Sequence, residues 1–260
     1  MWAWGLLPGF PMLAPRLRVV LPLLLSALSS GCAASTDEAS DLSPASSSED
    51  ELRRYEDAGL ERPEVGIVRF NGSYCTGTLI GPRTVLTAAH CVKFKSRSVK
   101  PTEPALGAFS VDYRDGRRRA YEFRAFRSDA SVLEVHFDLA VVQLDVPVPA
   151  DVATPATIAT SWPDERLTVY GYGRYGAGCK QSDDRLAKRK TTVPSSFPFV
   201  KATTCPGDSG GPYFRGTSSE IVATVKGDGL GLEFVGDAVQ HRTWILDRRA
   251  ESERGALDVD

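Results

Sequence analysis

Methionine and histidine are scarce in this chain of 260 residues, with two and three copies, and cysteine stops at five. No stretch supplies the roughly 18 consecutive apolar residues that a membrane-spanning helix needs. Neither sign of charge dominates: 31 basic against 33 acidic side chains leave a net charge of −2, without the basic footprint of a nucleic-acid binder. No nucleic acid is therefore expected as a partner. No pair of cysteines stands in Cys-x-x-Cys spacing, which argues against a zinc site, so neither metal nor cofactor is expected. No internal repeat of fixed period is found either. What is present is ordinary for a globular protein, 42% hydrophobic and 25% charged, with 23 Gly and 17 Pro pointing to many turns. The length allows one large domain or two small ones around a sizeable core.

The first 32 residues read as a secretory signal. Arg16 and Arg18 precede the apolar stretch Val19–Leu28, and Ser29-Ser30-Gly31-Cys32 supplies small residues before a break. The ending resembles a bacterial lipoprotein signal, in which Cys32 would be lipidated and attach the protein to a membrane. It departs from that pattern at Ser29, where Leu is usual, and cleavage after Ala34 is the competing route. Either route removes Cys32 from disulfide counting. Residues 33–54 form a Ser-, Asp- and Glu-rich tether or propeptide, with no Lys or Arg between Arg18 and Arg53. Such a segment buries too little apolar surface to offset its ordering entropy. The expected location is the cell envelope, lipid-anchored, or the medium outside the cell.

From residue 55 to 260 short β-type runs alternate with Gly, Pro and charged turns. Val65–Phe70, Thr78–Ile80, Val85–Ala88, Ala120–Phe126 and Leu139–Leu144 form a first group. The Pro- and Val-rich stretch Val146–Thr160 reads as a connector. Leu167–Tyr170, Lys190–Val193, Phe197–Lys201, Ile221–Lys226 and Phe234–Val239 form a second group. Arg242–Arg254 is the one clear helix, with Trp244, Ile245 and Leu246 toward the body. Helices do not alternate with strands, so the class is all-β, built of barrels or sandwiches. Cys75, Cys91, Cys179 and Cys205 remain, an even set suited to an oxidising compartment. Four cysteines allow three pairings, and sequence alone does not choose among them.

Three strings carry chemistry. Thr87-Ala88-Ala89-His90-Cys91 ends a strand in a histidine, Phe137-Asp138-Leu139 places an acid at the head of an apolar strand, and Gly207-Asp208-Ser209-Gly210-Gly211-Pro212 sets a serine in a glycine-rich turn. A serine hydroxyl becomes nucleophilic when a base takes its proton, and the base needs a fixed tautomer. His90, Asp138 and Ser209 supply base, orienter and nucleophile. The turn also fits the G-x-S-x-G pattern of α/β-hydrolases, but there the acid and the His follow the Ser, and the only later histidine is His241. His136 and His241 read as structural or surface residues.

With their flanks, these strings resemble the chymotrypsin/trypsin family of serine endopeptidases. The likeness rests on Cys75-Thr-Gly-Thr-Leu-Ile80, Val85-Leu-Thr-Ala-Ala-His90-Cys91, Asp138-Leu-Ala-Val-Val142, Gly171-Tyr-Gly173, Gly207-Asp-Ser-Gly-Gly-Pro212 and Trp244-Ile245. It implies two six-stranded antiparallel β-barrels, at about 63–150 and 160–240, with the active site between them and a helix at about 242–254. It implies hydrolysis of a peptide or protein substrate by a monomer through an acyl-enzyme, with His90, Asp138 and Ser209 catalytic. The N–H groups of Gly207 and Ser209 would form the oxyanion hole. It also implies a Cys75–Cys91 disulfide; Cys179–Cys205 is the remaining pair, although the best-known animal members pair the cysteine before the turn elsewhere. Thr203 would floor the specificity pocket, with Val225, Lys226 and Gly227 on its wall, favouring an uncharged residue before the cut; Glu233 is a rival source of a pocket carboxylate. No Ile-Val-Gly-Gly string stands in residues 51–64, so activation differs from the family's, or Asp208 is satisfied internally. The alternative function is a catalytically silent homologue that binds peptides or proteins.

Overall fold

The computed structural model describes residues 56–93, 107–129, 138–182, 184–195, 200–201, 204–229 and 232–257. The signal and tether, His136 and Thr203 lie outside them. Among the described residues fourteen strands and two α-helices are formed. The first strands are β1 (Glu56–Asp57), β2 (Val65–Phe70), β3 (Ser73–Gly81) and β4 (Thr84–Thr87), followed by α1 (Ala89–Lys93), β5 (Gly107–Asp112), β6 (Arg118–Asp129) and β7 (Leu139–Leu144). Then come β8 (Thr157–Ile158), β9 (Leu167–Gly171), β10 (Arg189–Val193), β11 (Val200–Lys201), β12 (Pro212–Arg215), β13 (Glu220–Gly229), β14 (Leu232–Asp237) and α2 (Arg242–Glu253).

Local chemistry sets the first hairpin. Phe70 pairs with Ser73 across Asn71-Gly72, both at positive φ (49° and 78°), the conformation that lets a two-residue turn follow the twist of its strands. The closed barrel then runs β2-β3-β4-β7-β6-β5. Its interior holds Val68, Leu79, Val85, Phe109, Val111, Phe123, Val142 and Leu144. The alternate residues Ile67, Ile80, Leu86, Leu139 and Val141 face outward yet are equally buried, packed with Tyr170, Tyr172, Phe214 and Ile245. This is why Leu139–Val142 reads as a solid apolar run: both faces of β7 are covered.

The second sheet runs β1-β10-β9-β12-β13-β14-β11, with β8 added in parallel to β13. Where the resemblance implies six strands, this sheet has eight, because the two-residue segments β1 and β8 join its longer strands. Leu167, Val169, Tyr213, Val222, Val225 and Val235 fill its core. Helix α2 returns to the barrel. Ile245 is fully buried, and Glu253 Oε1 accepts from Arg83 N at 3.2 Å and from Thr84 Oγ1 at 2.5 Å. No helix among the described residues is long and apolar enough to cross a membrane.

Candidate active site

Strand register delivers the first pair. β4 and β7 are antiparallel with Thr87 opposite Ala140, so continuing the ladder sets Ala89 against Asp138, and Ala89 N donates to Asp138 O at 3.1 Å. His90 follows at once in α1. Its backbone N–H donates to Asp138 Oδ1 at 2.9 Å, and its Nδ1 lies 2.5 Å from Asp138 Oδ2. The carboxylate is buried, at 7% side-chain exposure, while the imidazole is 40% exposed. A carboxylate bonded to Nδ1 keeps the proton on that nitrogen and leaves Nε2 as the acceptor.

Ser209 sits in a double turn closed by Asp208 N to Cys205 O (2.9 Å) and Gly211 N to Asp208 O (2.8 Å). Two contacts press this turn on the barrel: Thr76 N donates to Ser209 O at 2.8 Å, and Thr76 Oγ1 donates to Gly207 O at 2.9 Å. With both carbonyls turned to Thr76, the N–H groups of Gly207 and Ser209 meet no acceptor among the described residues. Gly210 is required here. It has φ +79°, and a Cβ would stand 2.2 Å from Thr87 Oγ1 and 2.4 Å from Thr76 O. Gly207 has φ +102°, and a side chain there would strike the Tyr74 ring. The Ser209 hydroxyl makes no hydrogen bond to His90 among the described residues, although Cys91 Sγ stands 3.8 Å from the Ser209 carbonyl oxygen.

Asp208, beside the serine, is 2% exposed and held by backbone. Gly173 N donates to its Oδ1 at 2.7 Å and Cys205 N to its Oδ2 at 2.8 Å. Gly171 and Gly173 lie so close that a Cβ on either would come within 2.0 or 2.6 Å of this carboxyl group. Two disulfides frame the region: Cys75–Cys91 joins β3 to α1, and Cys179–Cys205 joins the loop after β9 to the nucleophile turn. Cys75, His90 and Cys91 also lie within metal-ligand distance of one another, but both sulfurs are locked in the disulfide and offer no thiolate.

Of the residues assigned to specificity, Val225 is buried and bonded to the turn, accepting from Gly210 N at 2.7 Å. Lys226 occupies the bulge between β13 and β14, and Gly227, at φ +145°, has open space where a side chain would stand. Glu233 pairs through its backbone with Val200 and Asp228. His241 is the N-cap residue of α2. Thr76 and Gly173 stand in strings that carry the family likeness, but their contacts run through a hydroxyl and backbone N–H groups, for which short sequence patterns carry no signal.

A part-buried polar cluster joins barrel to sheet. Tyr172 donates to Asp112 Oδ2 (2.8 Å), which also receives Arg118, and burial raises the Tyr172 phenol well above its ordinary value. Lys188, 2% exposed, donates to Glu61 O (2.7 Å) and Arg62 O (2.8 Å). Burial pulls its pKa down to about 8, against the opposing pull of Asp112 and Glu64.

A closed six-stranded barrel joined to a second, mainly antiparallel sheet, with a His–Asp pair on one and a glycine-framed serine on the other, defines the chymotrypsin-like architecture. The trypsin family model matches residues 55–232, and the chain belongs to that family. It is 30% identical over 172 residues to serine protease SP24D of Anopheles gambiae, covering 57% of this chain and 61% of that protein. It is 28% identical over 116 residues to inactive serine protease PAMR1 of Bos taurus, covering 38% of this chain and 16% of that one. This chain thus spans 61% of the first of these relatives and 16% of the second. Among solved structures, HL collagenase aligns with TM-score 0.59 at 14% identity, over 76% of this chain and 98% of its own.

Proposed function

We propose that the protein is an exported serine endopeptidase acting through His90, Asp138 and Ser209. The observation that carries this reading is the doubly bonded His90–Asp138 pair, which fixes both the tautomer and the direction of the ring. Ser209 Oγ attacks the peptide carbonyl as His90 Nε2 takes its proton; His90 returns that proton to the amine as the C–N bond breaks, leaving the acyl-serine. Water then repeats the sequence, releasing the acid and the free serine. The N–H groups of Gly207 and Ser209 bind the developing oxyanion, a contribution of about 3–4 kcal/mol for one such donor elsewhere. Contacts between nucleophile and base often tighten only when substrate binds. Two disulfides fit an oxidising compartment, and the signal and Cys32 reading supports export with either a lipid anchor or release. The hydroxyl of Thr203 and the open space at Gly227 favour an uncharged residue before the cut.

A silent, peptide-binding homologue is the second reading, favoured by the likeness to PAMR1, which is described as inactive. One experiment separates the two. A fluorophosphonate probe is expected to label Ser209, and a peptide library to be cut after Phe, Leu or Val rather than after Arg or Lys. Ser209→Ala and Asp138→Asn should each lose about 10⁴-fold or more in kcat. An unlabelled, folded wild-type protein refutes the protease reading; cleavage after Arg or Lys by more than tenfold refutes the Thr203 argument and directs attention to Glu233.

A further inference from the structure

The chain's net charge is −2, yet its positive charge is gathered beside the nucleophile turn. Residues 112–119 carry four Arg against two Asp, and residues 172–190 carry six basic side chains against two acidic. Of these six, Lys188 is buried and Lys190 is bound to Glu61, leaving Arg174, Lys180, Arg185 and Arg189. The fold joins these segments. From the β5–β6 hairpin, Arg118 reaches the second sheet's loops, donating to Arg185 O at 2.8 Å and Leu186 O at 3.1 Å while bound to Asp112. That clamp sets the hairpin, with exposed Arg114, Arg117 and Arg119, the last two sharing Asp115 at 3.5 and 3.4 Å, against the loop segment at Arg185, and Arg174 and Lys180 are exposed on the same loop.

The surface is stiffened for recognition. The Arg119 guanidinium stacks 4.0 Å above the Tyr113 ring and that of Arg189 stacks 3.5 Å above Tyr175. A stacked guanidinium holds its planar fork of donors in one orientation, the geometry that matches a carboxylate; that of Arg119 already donates to Asp115 Oδ2 at 3.4 Å. Tyr175 is itself fixed by paired backbone bonds to Gln181 and by the Cys179–Cys205 closure. The patch borders the chemistry: Arg174 N donates to Pro206 O at 3.0 Å, and Gly173 packs against Gly207. Gly210 instead meets the β13 wall at Val225, which the reading above gives to the residue before the cut.

We infer that this patch is a docking surface for acidic residues of a protein substrate on the far side of the scissile bond, an inference that rests on the endopeptidase reading. Matched peptides bearing Glu or Ala at the second to fourth positions after the cut test it on the full-length protein. Glu should raise kcat/KM about tenfold at low salt, through KM, and the gain should fade in 0.5 M NaCl, where charges are screened. The triple variant Arg117→Ala/Arg119→Ala/Arg174→Ala should lose the gain and cleave the Ala peptide as before. A fluorescent Glu-bearing peptide followed by anisotropy reads the same contact in Ser209→Ala protein, whether or not the wild type cuts. Cleavage of the neutral peptide reports separately on the protease reading. Equal rates for Glu and Ala peptides, a gain only from Glu before the cut, a gain that survives the triple variant, or binding of a sulfated polysaccharide but not of acidic peptide would each overturn the assignment.

Discussion

Thr76 holds the Ser209 turn from the barrel side. Its N–H and hydroxyl hold the carbonyls of Ser209 and Gly207, its hydroxyl accepts from Tyr172 N at 3.1 Å, and its own carbonyl receives Thr87 Oγ1 at 2.8 Å. It is fully buried, so water cannot replace what it supplies. Thr76→Val keeps the shape and the N–H but strands the Gly207 carbonyl and the Tyr172 N–H, at a cost of about 1–3 kcal/mol for each unsatisfied buried group. A Gly207 carbonyl freed from its donor can rotate its peptide plane, which carries the Asp208 N–H, and so disturb the flanking N–H groups of Gly207 and Ser209 proposed above as oxyanion donors. The expected outcome is a kcat about 10- to 100-fold lower with KM little changed, while Thr76→Ser recovers most of the loss. Equal loss in the Thr76→Ser variant would instead mark Thr76 as a packing residue.

Elements differ in how plainly the sequence announces them. β2 and β7 are legible because runs such as Val65–Phe70 and Leu139–Leu144 are apolar and β-branched, whichever faces they bury. β12 is hidden behind Pro212, which reads as a turn but is tolerated as a first strand residue. β5 opens on Gly107, whose Cα presses on the Phe123 ring where a Cβ would not fit, so a glycine that looks like a breaker is a packing device. β1 and β8 owe their existence to partners in β10 and β13, and two residues carry no period to read. The His90–Asp138 pairing is legible because both motifs flank strands, while the hold of Gly173 on Asp208 depends on tertiary placement alone. The loop that delivers Gly173 is tied by Cys179–Cys205 across 26 residues. Cys179→Ser/Cys205→Ser should lower the unfolding free energy by about 3 kcal/mol, read by urea denaturation. It should also reduce kcat, because Cys205 N is a backbone donor to Asp208. A stability loss with unchanged kcat would show that the turn holds its shape without the tie.

At the scale of the whole molecule, barrel and sheet are joined by polar as well as apolar contacts, and Lys188 is the most exacting of them. Its ammonium reaches the carbonyls of Glu61 and Arg62 in the segment leading into the barrel, beside the Tyr172–Asp112–Arg118 cluster. Below pH 8 the ammonium is charged in both folded and unfolded chains, and folding bears the full desolvation cost. Between about 8 and the ordinary value of 10.5 the folded chain has shed the proton and the unfolded chain still binds it. The unfolding free energy therefore rises with pH across this window and levels off above it. For a shift of this size the rise is about 3 kcal/mol. Lys188→Met removes the titration and the desolvation cost along with the two hydrogen bonds, so the variant should lack this rise. Other groups titrate in the same range, so the informative quantity is wild type minus variant, followed by urea denaturation from pH 7 to 10.5. A difference that stays flat across the window would mean that Lys188 keeps an ordinary pKa in the folded chain and that the barrel–sheet junction is wetter than its burial indicates.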